Sequence, residues 1–147
     1  MSVTIRPLEP SDKAAWEILF QGYASFYAVE QTPQMRETVW GWLNDPDHGS
    51  NCFVAEQGGK LIGFTHYRSF VSTLRAISNG FLDDLFVDPN ARGSGAAQAL
   101  IDAVSAVGRE KGWGVIRWIT AEDNYRARGV YDRVASRTPW VTYDIKL

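Results

Sequence analysis

Gly80-Phe81-Leu82-Asp83-Asp84-Leu85-Phe86-Val87-Asp88-Pro89-Asn90-Ala91-Arg92-Gly93-Ser94-Gly95-Ala96-Ala97-Gln98-Ala99-Leu100-Ile101 is the stretch that decides the fold. It reads as an apolar strand that stops at Asp88-Pro89, a turn through Arg92-Gly93-Ser94-Gly95, and the start of a helix. Proline has no N–H and restricts the residue before it, so Pro89 ends the strand ladder. Gly93 and Gly95 lack a Cβ, which permits a tight turn and lets a ligand approach the backbone. The helix opens with free N–H groups and a positive dipole end. Strand, glycine turn and helix N-terminus together make a site for a phosphate.

The loop is not a Walker A sequence, because no Gly-Lys-Ser/Thr closes it. Nor is it a dinucleotide fingerprint, because Ala97-Gln98 stand where a third spaced glycine belongs. At 147 residues the chain can bury one good core, and a single domain over 1–147 is expected. Its 45% apolar and 22% charged residues are a globular profile. A formal charge of −2 offers no basic face for nucleic acid, while a mildly acidic chain suits a cationic small substrate. The lone Cys52 excludes an internal disulfide and a cysteine-rich metal site. Within Cys52-Phe53-Val54-Ala55 it reads as a buried thiol. With no basic-then-apolar leader and no apolar run of membrane-spanning length, a soluble cytoplasmic protein without a metal is expected.

Along the chain, Val3 to Leu8 alternates and stops at a proline as a first strand. Ser11 or Asp12 caps a helix whose Trp16, Leu19, Phe20, Tyr23, Phe26 and Tyr27 recur at helical spacing, with Gly22 as a point of bending. Its aromatic stripe reads as core or groove lining, and Tyr23 and Tyr27 are candidate substrate contacts. Thr32-Pro33 opens a second helix. Two β-rich runs around Gly58-Gly59 make a hairpin, and Gly63 marks a bulge or a close backbone approach. The segment Val71 to Ser78 then leads into the strand at Gly80, completing an antiparallel meander. A helix to Lys111-Gly112, a strand over Val115 to Thr120, a helix opened by Asn124 and an alternating last strand over Thr138 to Leu147 complete the order.

Two motifs carry a resemblance. Arg92-Gly93-Ser94-Gly95-Ala96-Ala97 matches an Arg/Gln-x-x-Gly-x-Gly/Ala signature, and Asn124-Tyr125-Arg126-Ala127-Arg128-Gly129-Val130-Tyr131 matches Asn-x-x-Ala-x-x-Leu-Tyr, with Val130 for the usual Leu. Standing in this order, a helix and a strand apart, they make the chain resemble the GNAT superfamily of N-acetyltransferases over nearly its whole length. The resemblance implies an α+β fold: a mixed, mostly antiparallel central sheet flanked by helices, in the order β-α-α-β-β-β-α-β-α-β. It also implies acetyl-coenzyme A as cosubstrate. The strand Gly80 to Val87 is similar to the Tyr-Leu-Glu-Asp-Phe-Phe-Val strand of a narrower group, the spermidine/spermine acetyltransferases and histone-and-polyamine acetyltransferase relatives.

By that resemblance the main chain of Leu85, Phe86 and Val87 holds the thioester carbonyl and pantetheine arm. The N–H groups of Arg92, Gly93, Ser94, Gly95, Ala96 and Ala97 take the pyrophosphate, and Asn124 bonds the arm. Tyr131 falls on the general acid; a phenol with a reference pKa of about 10 is protonated at neutral pH and can neutralise a thiolate. Asp83 falls on the Glu that serves as base or amine-binding carboxylate. Being one methylene shorter, it is expected to act directly or through water. Neighbouring residues of a regular strand point to opposite faces, so only one of Asp83 and Asp84 is expected to face the cleft. The resemblance makes it Asp83. Asp84 is left to substrate binding or to a pair with Arg117 or Arg126.

The family's usual Gly-Phe and second closing strand are missing after Tyr131, which leaves an edge, and a homodimer is the expected cover. The leading expectation is acetyl transfer, by direct attack in a ternary complex, to a small primary amine: a polyamine, a diamine or an amino-acid-like amine. Acetylation of a protein lysine or N-terminus is the rival, and a non-catalytic acyl-coenzyme A-binding module the rival of another class.

Overall fold

A computed structural model describes residues 2–147. Strands β1 (Thr4–Pro7), β2 (Asn51–Gln57), β3 (Lys60–Ser72), β4 (Ile77–Val87) and β5 (Ile116–Arg117) form one sheet in chain order. The first four pair antiparallel, and β5 lies parallel to β4. The helices are α1 (Lys13–Phe26), α2 (Pro33–Leu43), α3 (Ala96–Lys111) and α4 (Tyr125–Val134).

Local chemistry sets most of the boundaries. Thr32 caps α2 by accepting from the Met35 N–H at 3.1 Å, with Pro33 at the first helical position. Gly58 and Gly59 carry φ of 60° and 76°, so the β2–β3 turn follows the strand twist. At Gly63 a Cβ would stand 2.8 Å from the Phe86 carbonyl oxygen, which is the close approach its place in the strand predicts. Gly22 does not bend α1, which runs unbroken to Phe26 and rests this position against the Phe86 ring.

Strand periodicity divides the core between the two faces of the sheet. On one, Trp16, Leu19 and Phe20 of α1 pack on Cys52, Val54, Leu61 and Phe64. On the other, Leu100, Ile101 and Val104 of α3 pack on Ala55, Ile62, Tyr67 and Leu82. The N-terminal end is pinned by Arg6, which donates to both Asp12 oxygens at 2.7 and 2.9 Å. That guanidinium holds the Asp12 carboxyl below its ordinary value.

Three local readings need correction, although the fold class stands. The strand expected over Val115 to Thr120 is only Ile116–Arg117. Residues 138–147 form no strand, and Trp140, Tyr143 and Ile145 are exposed. A gap of about 630 Å³ lies between residues 115–120 and the tail at Trp140 and Thr142, so the two backbones are not paired. The third correction concerns Asp83 and Asp84. His66 pairs with Asp84 and Tyr67 with Leu82, so Asp83 is an extra, unopposed residue in β4. Such a bulge interrupts alternation. Both carboxyls therefore reach the same face: Asp84 bonds His66, and Asp83 bonds Arg68, two residues further along β3.

Candidate active site

β4 and β5 share only the pairs Gly80–Ile116 and Phe81–Arg117. Beyond Phe81 the strands part, leaving the β5-facing edge of β4 unpaired through Leu85, Phe86 and Val87. A cleft of about 340 Å³ opens there, with the turn from Arg92 to Ala97 at one end, Asn124 and Tyr131 on the α4 side, and Tyr23 and Tyr27 on the α1 side. The structure thus brings together every predicted site residue except the two aspartates, which do not line the cleft; Asp84 lies next to Tyr23 of its wall, and Asp83 turns to Arg68.

The turn leaves backbone donors free and open to approach. Gly93 and Gly95 both hold φ of 83°, a left-handed backbone that favours glycine, and no atom lies within 4 Å of where either Cβ would be. Ser94 Oγ accepts from the Ala96 N–H. Among the described residues, the N–H groups of Gly93, Gly95, Ala97 and Gln98 have no partner within the chain. Open donors, an open approach and the positive end of the 16-residue α3 fit a pyrophosphate.

On the opposite wall Asn124 caps α4 by accepting from the Ala127 N–H at 3.4 Å. Its amide nitrogen lies 3.5 Å from the Tyr27 hydroxyl, so α1 and α4 meet across the cleft. Tyr131 packs edge-on to Trp118 with ring centroids 5.4 Å apart. Burial, with a smaller contribution from Tyr27, pushes its phenol up to about 12. Tyr23 is raised too, first by burial and then by Asp84. Both phenols therefore hold their protons at neutral pH.

The sequence pattern of the Acetyltransferase (GNAT) family matches residues 16–135. The chain belongs to that family. A relative from Saccharomyces cerevisiae (strain ATCC 204508 / S288c), D-amino-acid N-acetyltransferase HPA3, is 30% identical over 144 residues, covering 96% of this chain and 89% of that protein. The thialysine N-epsilon-acetyltransferase of Bos taurus is 30% identical over 95 residues, 59% of this chain and 55% of its own. Among solved structures, AAC(6')-Iy in complex with the bisubstrate analog CoA-S-monomethyl-acetylneamine superposes with a TM-score of 0.85 at 22% identity, covering 100% of this chain and 99% of that one. This chain is thus a GNAT N-acetyltransferase, and its sequence likeness to the spermidine/spermine and histone-and-polyamine group holds.

In this acetyltransferase the aspartates have partners that the sequence does not disclose. Both oxygens of Asp83 accept from Arg68 Nε at 3.1 Å. Burial raises the Asp83 carboxyl above its ordinary value, and Arg68 opposes the shift. Asp84 accepts from the buried His66 at 2.8 Å and not from Arg117 or Arg126. His66 is legible in the sequence only as one imidazole in an apolar strand. Its link to Asp84 depends on the cross-strand register, which a sequence pattern does not carry.

Proposed function

We propose that this GNAT protein moves the acetyl group of acetyl-coenzyme A to the primary amine of a small cationic acceptor, a polyamine, diamine or amino-acid-like molecule, in a ternary complex. One observation carries the acceptor class. The bulge at Asp83 sets two carboxylates on one face of β4, and Asp84 lies next to Tyr23 of the cleft wall. An aliphatic ammonium gains from that arrangement, and a neutral or anionic acceptor does not. Two relatives are named for acetylating amino-acid amines, which fits the same class.

In this proposal each residue has one role. The amides from Arg92 to Ala97 and the α3 terminus supply donors to the pyrophosphate. The unpaired edge at Leu85, Phe86 and Val87 offers main-chain groups to the thioester carbonyl and the pantetheine arm, and Asn124 offers its amide. Asp84 holds the ammonium with Tyr23 and Tyr27 beside it, and Asp83 takes the proton directly or through a water. A carboxyl raised by burial is a better proton acceptor than an ordinary aspartate. The nitrogen lone pair then forms the C–N bond, the C–S bond breaks, Tyr131 gives its proton to the departing thiolate, and the second nitrogen proton passes to the Tyr131 phenolate as the neutral amide forms.

A homodimer belongs to the same proposal, because the exposed Trp140, Tyr143 and Ile145 are a surface for a second copy to cover. The reaction is tested by thiol release from acetyl-coenzyme A against polyamines, diamines, amino acids and a lysine peptide. Turnover of the small cationic amines is expected. Turnover of the peptide alone, or of none, would overturn the proposal.

A further inference from the structure

Trp16 is fully buried in α1, and its indole N–H donates to Nε2 of His66 at 2.9 Å. An indole nitrogen can only donate, so Nε2 must present a lone pair. The ring proton then sits on Nδ1, which donates to Asp84 Oδ2 at 2.8 Å. Phe20 and Phe64 pack against the imidazole with centroids at 4.9 and 4.7 Å, which leaves no room for a ring flip. The Tyr23 hydroxyl lies against the same carboxylate from the cleft side.

We propose that Trp16 and His66 are positioning residues: the Trp16 N–H fixes His66 as the Nδ1–H tautomer, which orients Asp84 without pairing a cation to it and leaves the carboxylate for the incoming ammonium. The inference rests on the reading of Asp84 as the amine-holding carboxylate. An imidazolium at this place would pair with Asp84 and cancel the charge that attracts the substrate. Protonating Nε2 would also set two N–H groups against each other in a dry site. Trp16 therefore acts on substrate binding through two intervening residues.

The other groups around the ring do not supply the effect. Cys52, opposite His66 on β2, is kept a neutral thiol by burial. Tyr23 on α1 stays a neutral phenol. On β4, Asp83 is turned toward Arg68 of β3 and away from the His66 ring, and Asp12 ahead of α1 is paired with Arg6.

The test has two parts. The first is 15N NMR of the His66 ring in the unmodified protein, with no substrate present. We expect a protonated Nδ1 and an unprotonated Nε2; an Nε2–H tautomer or an imidazolium would overturn the proposal. The second is amine kinetics of Trp16→Phe, in which Nε2 loses its donor and becomes free to take a proton. The amine KM should rise at pH 6 by about threefold to fivefold, the upper scale of a lost partly exposed ion pair, and return to within about twofold of the parent at pH 8.5. His66→Gln, whose amide can accept from Trp16 and donate to Asp84 but cannot titrate, should show the parent's ratio of KM at pH 6 to KM at pH 8.5. It also keeps the test alive if Trp16→Phe does not fold. A KM rise in Trp16→Phe equal at both pH values, or a His66→Gln variant whose KM rises at pH 6 more than the parent's does, would refute the positioning role. Full amine affinity in Asp84→Asn would instead refute the reading of Asp84, leaving the NMR result intact.

Discussion

Replacing Gly95 with valine separates the coenzyme cradle from the scaffold. Gly95 precedes α3 with φ of 83°. A side chain in that region costs about 1–2 kcal/mol, and the stiffer unfolded chain returns about 0.4–1 kcal/mol. No atom lies within 4 Å of the new Cβ, so no clash inside the protein adds to this. The net loss is about 1 kcal/mol, which for a chain of this size is roughly 2–4 °C in melting temperature. The variant stays folded. Its cradle should fail, because the side chain fills the open space before α3 through which a phosphate would reach the free amides of the turn. Losing two hydrogen bonds to a charged oxygen, at about 1.5 kcal/mol each, weakens coenzyme binding roughly a hundredfold. Calorimetric titration of coenzyme A into parent and variant, beside thermal unfolding of both, reads the two effects separately. A Kd within about threefold of the parent, in a folded variant, would refute the phosphate-cradle reasoning.

Tyr131→Phe keeps the ring against Trp118 and should lower kcat about tenfold or more, with coenzyme affinity changed less than about twofold; full turnover would return Tyr131 to packing alone. The raised Tyr131 pKa also implies that stability is complete below about pH 10 and declines as pH rises toward about 12, which a denaturant series in that window checks. Gly63→Ala presses a methyl group on the Phe86 carbonyl and should cost about 1–3 kcal/mol, lowering the melting temperature where Gly95→Val barely does. Asp12→Asn breaks the buried pair with Arg6 and should cost about 2–3 kcal/mol with kcat unchanged. Because the folded Asp12 pKa is depressed, the pair's contribution is present above about pH 4 and is lost as pH falls through the folded value, so the stability gap between parent and variant should narrow in acid.

The sheet order, the caps and the glycine turn are legible in the sequence because each has a local cause. Pro89 ends a ladder, Thr32 and Asn124 cap helices, and Gly93 and Gly95 adopt a backbone that other residues avoid. Features that depend on pairing between strands are not legible. Alternation along Leu82-Asp83-Asp84-Leu85 predicts opposite faces for the two aspartates, and one unopposed residue in the β3–β4 register undoes it. The tail from Trp140 to Ile145 alternates as a strand should, yet a strand exists only against a partner edge, and β5 supplies two residues across a gap. The links from Trp16 through His66 to Asp84 join residues 50 and 18 positions apart, beyond the reach of any spacing rule.

The claim at the centre is that paired carboxylates on β4 select a small cationic amine for acetylation at the cleft. The direct measurement is kcat/KM for an aliphatic amine and for an alkoxyamine of equal length, which is neutral at pH 7, in the parent and in the Asp83→Asn, Asp84→Asn double variant. The parent should prefer the aliphatic amine by roughly tenfold, the scale of one well-placed charge contact, and the double variant should lose both activity and preference. Equal use of the two amines by the parent, or a preference that survives in the double variant, would contradict the account.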